Sequence, residues 1–443
     1  MKSVRLVTFG CKANQYDTQV LREALLRRGL CERDRGAELV VVNTCTVTAE
    51  AGRKARQLAR RLAREEPGVR IAMTGCLAES EPEILRELPG VEWVLGNGEA
   101  KRPVNFLRDL GLELDPEELG LPAGITEFAG HTRAFLKIQD GCDMACAFCI
   151  IPKVRGASRS RSAAELAAEV RRLVRAGHRE IVLCGIHIGH WGRERGESLA
   201  DLLEVLCALE VEDADGAATP WRLRLSSIEA TEVDAALLDC MARHPQRVAP
   251  HLHMPMQAGD DGVLAAMNRW YTVDEYLAAC ERIRGRLDRP AFSADLLVGF
   301  PGETDAAFAN TLETVRRAGF ARLHVFPFSA RPGTAAEGRP APPIEAVRER
   351  RARLAEVGAE TAAGYRASLE GCRDTVLFEG GFSGLCGRYQ RVRVDPRSFD
   401  GVPSGLVEVE LAPADDAEEE GTALWGRPLA AIRDSIPMPG GVA

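Results

Sequence analysis

The stretch AFLKIQDGCDMACAFC (134–149) decides how the rest of the chain is read. Its first six residues form an apolar run with strand character. A glycine turn follows at once, and Cys142, Cys146 and Cys149 then fall in a C-x3-C-x2-C loop. Five more strand-like runs lie downstream: EIVLCG (180–185), RLRLS (222–226), HLHM (251–254), SADLLVG (293–299) and RLHVF (322–326). Helical patterns separate them. Six parallel strands with crossover helices suit an α/β fold built as an open, partial (β/α)6 barrel. The site of such a barrel lies at the carboxyl ends of its strands.

Upstream, VRLVTF (4–9), ELVVVN (38–43) and VRIAMT (69–74) alternate with helical patterns over Tyr16–Arg28 and Glu50–Arg64. Apolar strands with helical crossovers imply a parallel sheet covered on both faces. Residues 101 to 130 are poorly patterned, with Pro103, Pro116 and Pro122, and read as a connector. RPAPP (339–343) introduces a long charged helix from Glu345 to about Leu369. After Gly371, the runs DTVLFEG, YQRVRV and LVEVEL suggest a small antiparallel β module ending near Arg433. The DDAEEE run (415–420) reads as a solvated loop. The expected organisation is an N-terminal parallel-sheet domain (1–110), a linker (111–130), a barrel domain (131–366), a β module (367–433) and a tail (434–443).

Hydrophobic residues make up 45% of the 443-residue chain and charged residues 28%, the balance of a globular protein. No window approaches the roughly 18 to 20 continuous apolar residues that span a bilayer. Met1–Phe9 leads straight into a strand and lacks the succession of a signal peptide. A cytoplasmic location is therefore expected, with no membrane partner. Thirteen cysteines in a reducing compartment point to metal or redox chemistry rather than disulfides. The net charge of −8 does not suggest a nucleic-acid binder, although a local basic face can hold phosphates on an acidic protein.

Three thiolates within eight residues can grip one face of a cubane cluster and leave the fourth iron without a protein ligand. That iron can take the amino and carboxylate groups of S-adenosylmethionine. One electron then cleaves the sulfonium and releases a 5′-deoxyadenosyl radical. A zinc site or buried free thiols would use the same residue type. Zinc usually wants a fourth His or Cys at its own spacing, and His131 precedes both strand and loop. The spacing therefore favours the cluster. Phe148, between the last two cysteines, could pack on an adenine or simply fill the loop.

Cys11, Cys45 and Cys76 each follow a strand of the first domain, in TFGCKANQ, VVNTCTVT and AMTGCLAE. Neighbouring parallel strands bring their carboxyl ends to one edge of the sheet. Three cysteines delivered there could converge on a second three-thiolate cluster, with Gly10 and Gly75 letting the backbone turn closely. The competing reading is strand-end packing, since cysteine is among the most buried residue types. The repeated placement favours a cluster. Cys31, Cys184, Cys207, Cys240, Cys280, Cys372 and Cys386 share no spacing and read as core or incidental.

These two cysteine sets in one chain resemble the radical S-adenosylmethionine methylthiotransferases over nearly the whole length. Within that family, GCKANQYDTQ (10–19), NTCTVTAEAGRKARQ (43–57) and KIQDGCDMACAFCIIPKVRG (137–156) look most like the branch acting on N6-threonylcarbamoyladenosine. The resemblance implies a methylthiotransferase domain, a radical barrel and a C-terminal TRAM module. It implies two 4Fe–4S clusters, at Cys142, Cys146 and Cys149 and at Cys11, Cys45 and Cys76. It also implies two uses of S-adenosylmethionine, one donating methyl to sulfur and one generating the radical that attacks adenine C2. The first triad is then the catalytic one. Gly185 and His187 in GIHIG, Ser227 and Glu229 in RLSSIE, Gln257, and Asp295 in ADLLVGFPGET match family segments around the cofactor. FPFSARPGT (326–334) closes the barrel in that reading. His251, His253 and His324 read more simply as strand residues.

The implied partners are a tRNA anticodon stem-loop, an electron donor protein and a sulfur source. Arg53, Lys54, Arg56, Arg60, Arg61 and Arg64 share one expected helix, with no acid between 53 and 64. It could take RNA phosphates or be a solvated face. Arg388, Arg391, Arg393 and Arg397 give the β module a basic patch, against the acidity of 415–420. Two rival functions stay open: methylthiolation of a ribosomal protein, and a non-catalytic metal-containing RNA-binding protein.

Overall fold

The computed structural model describes residues 1–112, 122–212, 216–413 and 423–429. The acidic run 415–420, the module's end near Arg433, the tail 434–443 and part of the connector (113–121) lie outside the described residues. The chain divides into two compact units. The first comprises Met1–Ala176, Leu183–Leu199 and Ser329–Arg339; the second comprises Gly177–Val182, Ala200–Phe328 and Pro340–Ala443. Among the described residues, no helix is long and apolar enough to cross a membrane.

The first unit opens with a five-stranded parallel sheet. Its order is Cys31–Glu32, Ser3–Thr8, Leu39–Thr44, Arg70–Gly75, Val91–Leu95. Alternation along the strands splits the core. Val41 and Ala72 face Leu21, Leu25 and Phe106 on one side, whereas Val40, Val42, Ile71 and Met73 face Leu58, Leu62 and Leu85 on the other. Two strands escape the sequence reading. Cys31–Glu32 is too short to show a period, and Val91–Leu95 is only half-buried. The first helix, Lys12–Arg27, begins a turn before its expected start at Tyr16. Three of its four opening residues KANQ are polar, so the apolar period starts late.

The same unit holds the strand Arg133–Lys137, a two-stranded antiparallel pair (Gln139–Asp140 with Arg159–Ser160), and the helices Ile151–Arg155 and Ala163–Arg175. Ser162 and Glu165 form a capping box that starts the second of these helices. Ile138 donates to the carbonyl of Cys184, the last residue of the strand Glu180–Cys184.

In the second unit, His251–His253, Ala291–Val298 and Arg322–Pro327 pair in parallel. Arg222–Leu225 is followed by a bridge from Ser227 to His253. Helices Ala235–Arg243, Val273–Arg284, Asp305–Ala318 and Ile344–Ala367 alternate with these strands or follow them. The C-terminal module is a closed five-stranded barrel in the order Arg373–Phe378, Ser383–Cys386, Arg391–Val394, Ala423–Pro428, Gly405–Pro413. One adjacent pair departs from the antiparallel expectation: Arg391–Val394 and Ala423–Pro428 run parallel. Val376, Phe378, Val392, Val409 and Leu424 fill its core.

Buried charge ties this barrel to neighbouring strands of the unit. Glu180 accepts from Arg222 at 2.6 Å and from Arg224 at 2.8 and 2.9 Å. The same two guanidinium groups donate to the carbonyls of Thr375, Leu385, Cys386 and Gly387. One carboxylate and four carbonyl oxygens thus share the two buried guanidinium groups, which would otherwise lack any counter-charge.

Candidate functional site

The loop Gly141–Cys149 is positioned by the buried side chain of Gln139. Its amide donates to the carbonyl of Gly141 at 2.7 Å and to Ser158 Oγ at 2.9 Å. Its oxygen accepts from the backbone N–H groups of Ile186 (3.0 Å) and His187 (2.8 Å). One side chain therefore joins the cysteine loop to the GIHIG turn. Gly141 has φ 75°, and a Cβ there would lie 2.0 Å from the carbonyl oxygen of Ala157, so only glycine fits. Gly185 is also tight, since a Cβ would meet the Gln139 carbonyl oxygen at 2.8 Å. Cys142, Cys146 and Cys149 are all half-buried. Cys149 N–H donates to the Cys146 carbonyl, and Met144 N–H points to Cys142 Sγ at 3.5 Å. His187 Nδ1 lies 3.7 Å from Cys142 Sγ, and its ring stacks on His190. Phe148 is half-buried within the loop.

The second set forms where three strands of the first sheet end. Cys11 is the residue before the helix Lys12–Arg27, Cys45 follows Leu39–Thr44, and Cys76 opens the short helix Cys76–Ser80. Cys11 is exposed, whereas Cys45 and Cys76 are buried. A Cβ at Gly10 (φ 101°) would lie 2.9 Å from Cys45 Sγ, so Cys45 sits directly on the turn that presents Cys11. Burial pushes the Cys45 thiol up to about 11, and the nearby Cys76 and Cys11 add to the rise. Polar side chains lace the strand ends together. Asn14 donates to the carbonyls of Phe9 (2.8 Å) and Thr44 (2.9 Å). Asn43 donates to the carbonyl of Asn14, and Thr44 Oγ1 donates to the carbonyl of Thr74.

Both sets belong to the first unit, and two features connect them. Cys76 packs with Ile150, the residue after Cys149, and with Val154 in the short helix that follows. Arg155, only 4% exposed, donates to Asp140 at 2.8 Å, to Asn14 Oδ1 at 2.5 Å and to Asp17 at 3.2 Å. Its charge also reaches Cys76 and Cys11. Burial works against ionisation of Asp17, but Lys137, Lys101 and Arg155 outweigh it and hold that carboxyl well below its usual range. Far downstream, Ala336 N–H donates to the carbonyl of Ala147 inside the cysteine loop. Arg331 lies within electrostatic reach of Cys45. Gln139, Asn14, Asn43, Arg155 and Arg331 all escaped the sequence reading. All five sit inside recognisable motifs, but only their partners reveal what they do.

In the second unit, Ser227 and Gln257 follow the strands Arg222–Leu225 and His251–His253, whereas Asp295 lies within Ala291–Val298. Ser227 bridges to His253, and Gln257, in the left-handed region at φ 64°, donates its N–H to the carbonyl of Asp295. Asp295 Oδ1 lies 3.3 Å from His253 Nε2, and His324 completes a group whose ligand atoms all lie within 4.8 Å. Glu229 pairs with Arg269 at 2.5 Å. His251 is buried, with Nε2 2.9 Å from Ser293 Oγ.

The basic helix is Ala49–Glu65, and acids from outside its basic run partly neutralise it. Glu50 pairs with Arg53 and Lys54, Glu81 with Arg56, and Glu65 with Arg61 and Arg64. Arg60 is exposed. In the C-terminal barrel Arg388 is buried on Asp374 and Asp288, and Arg397 pairs with Asp395. Arg391 and Arg393 are exposed, and Arg393 lies in register beside Trp425, itself exposed.

Residues 3–96 match the uncharacterized protein family UPF0004, and residues 136–315 match the radical SAM superfamily. The threonylcarbamoyladenosine tRNA methylthiotransferase MtaB of Thermotoga maritima is 36% identical over 389 residues, covering 86% of this chain and 87% of that protein. The tRNA-2-methylthio-N(6)-dimethylallyladenosine synthase of Cereibacter sphaeroides is 35% identical over 392 residues, 84% and 86% of the two chains. This chain belongs to the radical SAM methylthiotransferase family. Its fold also matches the solved radical S-adenosylmethionine methyltransferase TsrM from Kitasatospora setae, with a TM-score of 0.54 at 16% identity over 76% of this chain and 77% of that one.

A radical SAM methylthiotransferase uses a 4Fe–4S cluster and S-adenosylmethionine. The residues present fit that requirement. Three thiols come from one loop, and the positions around them, Gly141 and Gly185, have no room for a side chain. The N-terminal thiols are flanked by equally bare turns, at Gly10 and Gly75.

Proposed function

We propose that this chain transfers a methylthio group to adenine C2 of N6-threonylcarbamoyladenosine in tRNA, beside the anticodon. What carries the reading is the presence of two three-cysteine sets in one compact unit, joined through Arg155 and the Cys76–Ile150 contact. Cys142, Cys146 and Cys149 hold the radical cluster, and Cys11, Cys45 and Cys76 hold the second. When bound, the first cluster supplies the electron that cleaves S-adenosylmethionine into a carbon radical.

The chain's own residues supply position and dryness. Gln139 fixes the cysteine loop against the Ile186 and His187 amides. His187 stands against the Cys142 sulfur, where a ring N–H can tune the thiolate. Ile150 and Val154 keep water from the space beside Cys76. Phe148, Gly185, His187, Ser227, Glu229, Gln257 and Asp295 are assigned to S-adenosylmethionine, and Arg269 pairs with Glu229. Arg53, Lys54, Arg56, Arg60, Arg391 and Arg393 are assigned to RNA phosphates. The chain is assigned to the cytoplasm, where an electron donor protein and a sulfur source complete the reaction.

The T. maritima and C. sphaeroides relatives are named for different nucleosides and are nearly equally similar. The residues around Cys11 and Cys45, GCKANQ and NTCTVT, favour the threonylcarbamoyl substrate. Mass spectrometry of tRNA nucleosides from a deletion strain tests the proposal. Loss of the 2-methylthio derivative of threonylcarbamoyladenosine, restored by the gene, is the expected result. Loss of the dimethylallyl derivative moves the substrate to the other branch. An unchanged nucleoside profile rejects tRNA as the substrate.

A further inference from the structure

A separate grouping of thiols lies in the second unit. Cys207 ends the helix Leu199–Cys207, and Glu204 stands one turn earlier. Cys240 belongs to the helix Ala235–Arg243, and His244 caps that helix one turn later. Spacings of three and four residues put each pair on one helix face. The two Sγ atoms and a His244 ring nitrogen all lie within 4.8 Å of one another. Glu204 Oε2 is 3.2 Å from His244 Nε2, and its other oxygen accepts from Arg243. Both cysteines are buried, whereas the side chains of His244 and Glu204 are 32% and 39% exposed, which leaves a way in from solvent.

We propose that Glu204, Cys207, Cys240 and His244 form a zinc site that staples these two helices together. Two thiolates, an imidazole and a carboxylate are a mixed S/N/O set of the kind that tetrahedral zinc takes. With bonds of about 2.0 to 2.3 Å, neighbouring donors of such a site stand roughly 3.3 to 3.8 Å apart. The 3.2 Å approach of Glu204 to His244 is already close to that spacing, and the two thiols and the His244 nitrogen stand within 4.8 Å of one another. Calcium and magnesium prefer all-oxygen ligands and do not suit these thiols.

The surroundings match the charge. Two thiolates, one carboxylate and a divalent cation sum to −1. Arg243 holds the outer oxygen of Glu204, as outer-shell partners of metal ligands do. Arg247 lies within electrostatic reach of Cys207. Four donors close the coordination sphere, so the site is structural, unlike the three-cysteine sets.

The test uses iron-loaded protein prepared anaerobically, incubated with zinc sulfate and passed through gel filtration. Elemental mass spectrometry counts zinc beside iron, and absorption at the zinc K-edge, to which iron is silent, reads the ligands. The expected result is one zinc per chain with two sulfur neighbours at about 2.3 Å and two nitrogen or oxygen neighbours at about 2.0 to 2.1 Å. Retention should fall at least about ten-fold in Cys240→Ser and His244→Ala, with iron unchanged. If Cys240→Ser does not fold, Glu204→Gln on the exposed rim serves in its place and should weaken retention in the same direction. Failure of the wild type to retain zinc, equal retention in the variants, or a three-sulfur shell that puts the metal at a cysteine triad would each overturn the site.

Discussion

Arg155 donates to Asp140 at 2.8 Å and so closes the base of the loop that carries Cys142, Cys146 and Cys149. The guanidinium is buried, and its second nitrogen reaches Asn14 and Asp17 beside the other cysteine set. Burial raises the Asp140 carboxyl, but Lys137 and Arg155 outweigh it and hold the group at about 2. Arg155→Met should therefore cost about 3 to 5 kcal/mol by leaving buried carboxylates short of a counter-charge. Denaturant unfolding measures that loss. Iron content should fall with it, since both triads share this anchor. A variant with wild-type stability and iron would remove Arg155 from that role.

Gly10→Ala tests the second triad apart from the first. The new Cβ would meet Cys45 Cβ at 2.7 Å at a backbone angle that disfavours any side chain. Iron should drop from about eight to about four atoms per chain, as expected for one remaining 4Fe–4S cluster. Reductive cleavage of S-adenosylmethionine should persist while methylthio transfer disappears. Full iron content in the variant would show that Cys45 is not a ligand.

Gln139→Met keeps the volume of the side chain and removes its hydrogen bonds. The Ile186 and His187 amides lose their acceptor, at about 1 to 3 kcal/mol for each buried unsatisfied group. The cysteine loop loses its hold on the GIHIG turn. Formation of 5′-deoxyadenosine should slow at least about ten-fold, because a misplaced reacting group costs rate steeply. An unchanged rate in a stable variant would make Gln139 a packing residue only.

The parts legible in the sequence were those with a local signature. Three cysteines in eight residues announce themselves, and runs such as LVVVN mark buried parallel strands. The repeated cysteine after each strand pointed to one sheet edge because parallel strands all end there. Asn14 and Arg155 carried no such mark. They are 141 residues apart, and each looks like an ordinary polar residue until the fold brings them together. The start of Lys12–Arg27 is hidden for a related reason: its first turn is mostly polar, with Ala13 its one apolar residue, so it shows no apolar period.

Glu180 gives the second unit a predictable acid response. Burial alone would raise its carboxyl, yet Arg224 and Arg222 outweigh burial and hold it well below the usual range. The unfolded value is about 4.3, so the folded value is the lower one. Its stabilisation is complete above about pH 5 and is lost as pH falls toward the folded value. Glu180→Gln should cost about 3 to 5 kcal/mol at neutral pH by leaving two buried arginines uncompensated. It should also flatten the fall in stability below about pH 5. Denaturant unfolding at a series of pH values checks both, and parallel acid limbs in wild type and variant would reject the assignment.

Trp425 and Arg393 sit side by side on the outer surface of the C-terminal barrel, with Arg391 on the same exposed face. An exposed aromatic ring flanked by guanidinium groups offers a stacking platform for an unpaired base and charge for its phosphates. The alternatives are separable by salt. Trp425→Ala should weaken binding of an anticodon stem-loop by about 1 to 3 kcal/mol at every salt concentration, because stacking releases no counterions. Arg393→Gln should instead lower the slope of log affinity against log salt by about one unit if it holds one phosphate. Filter binding across a salt series reads both quantities at once. If neither variant changes affinity or slope, this face of the barrel does not touch RNA, and the basic helix Ala49–Glu65 becomes the place to look, with exposed Arg60 the first residue to replace.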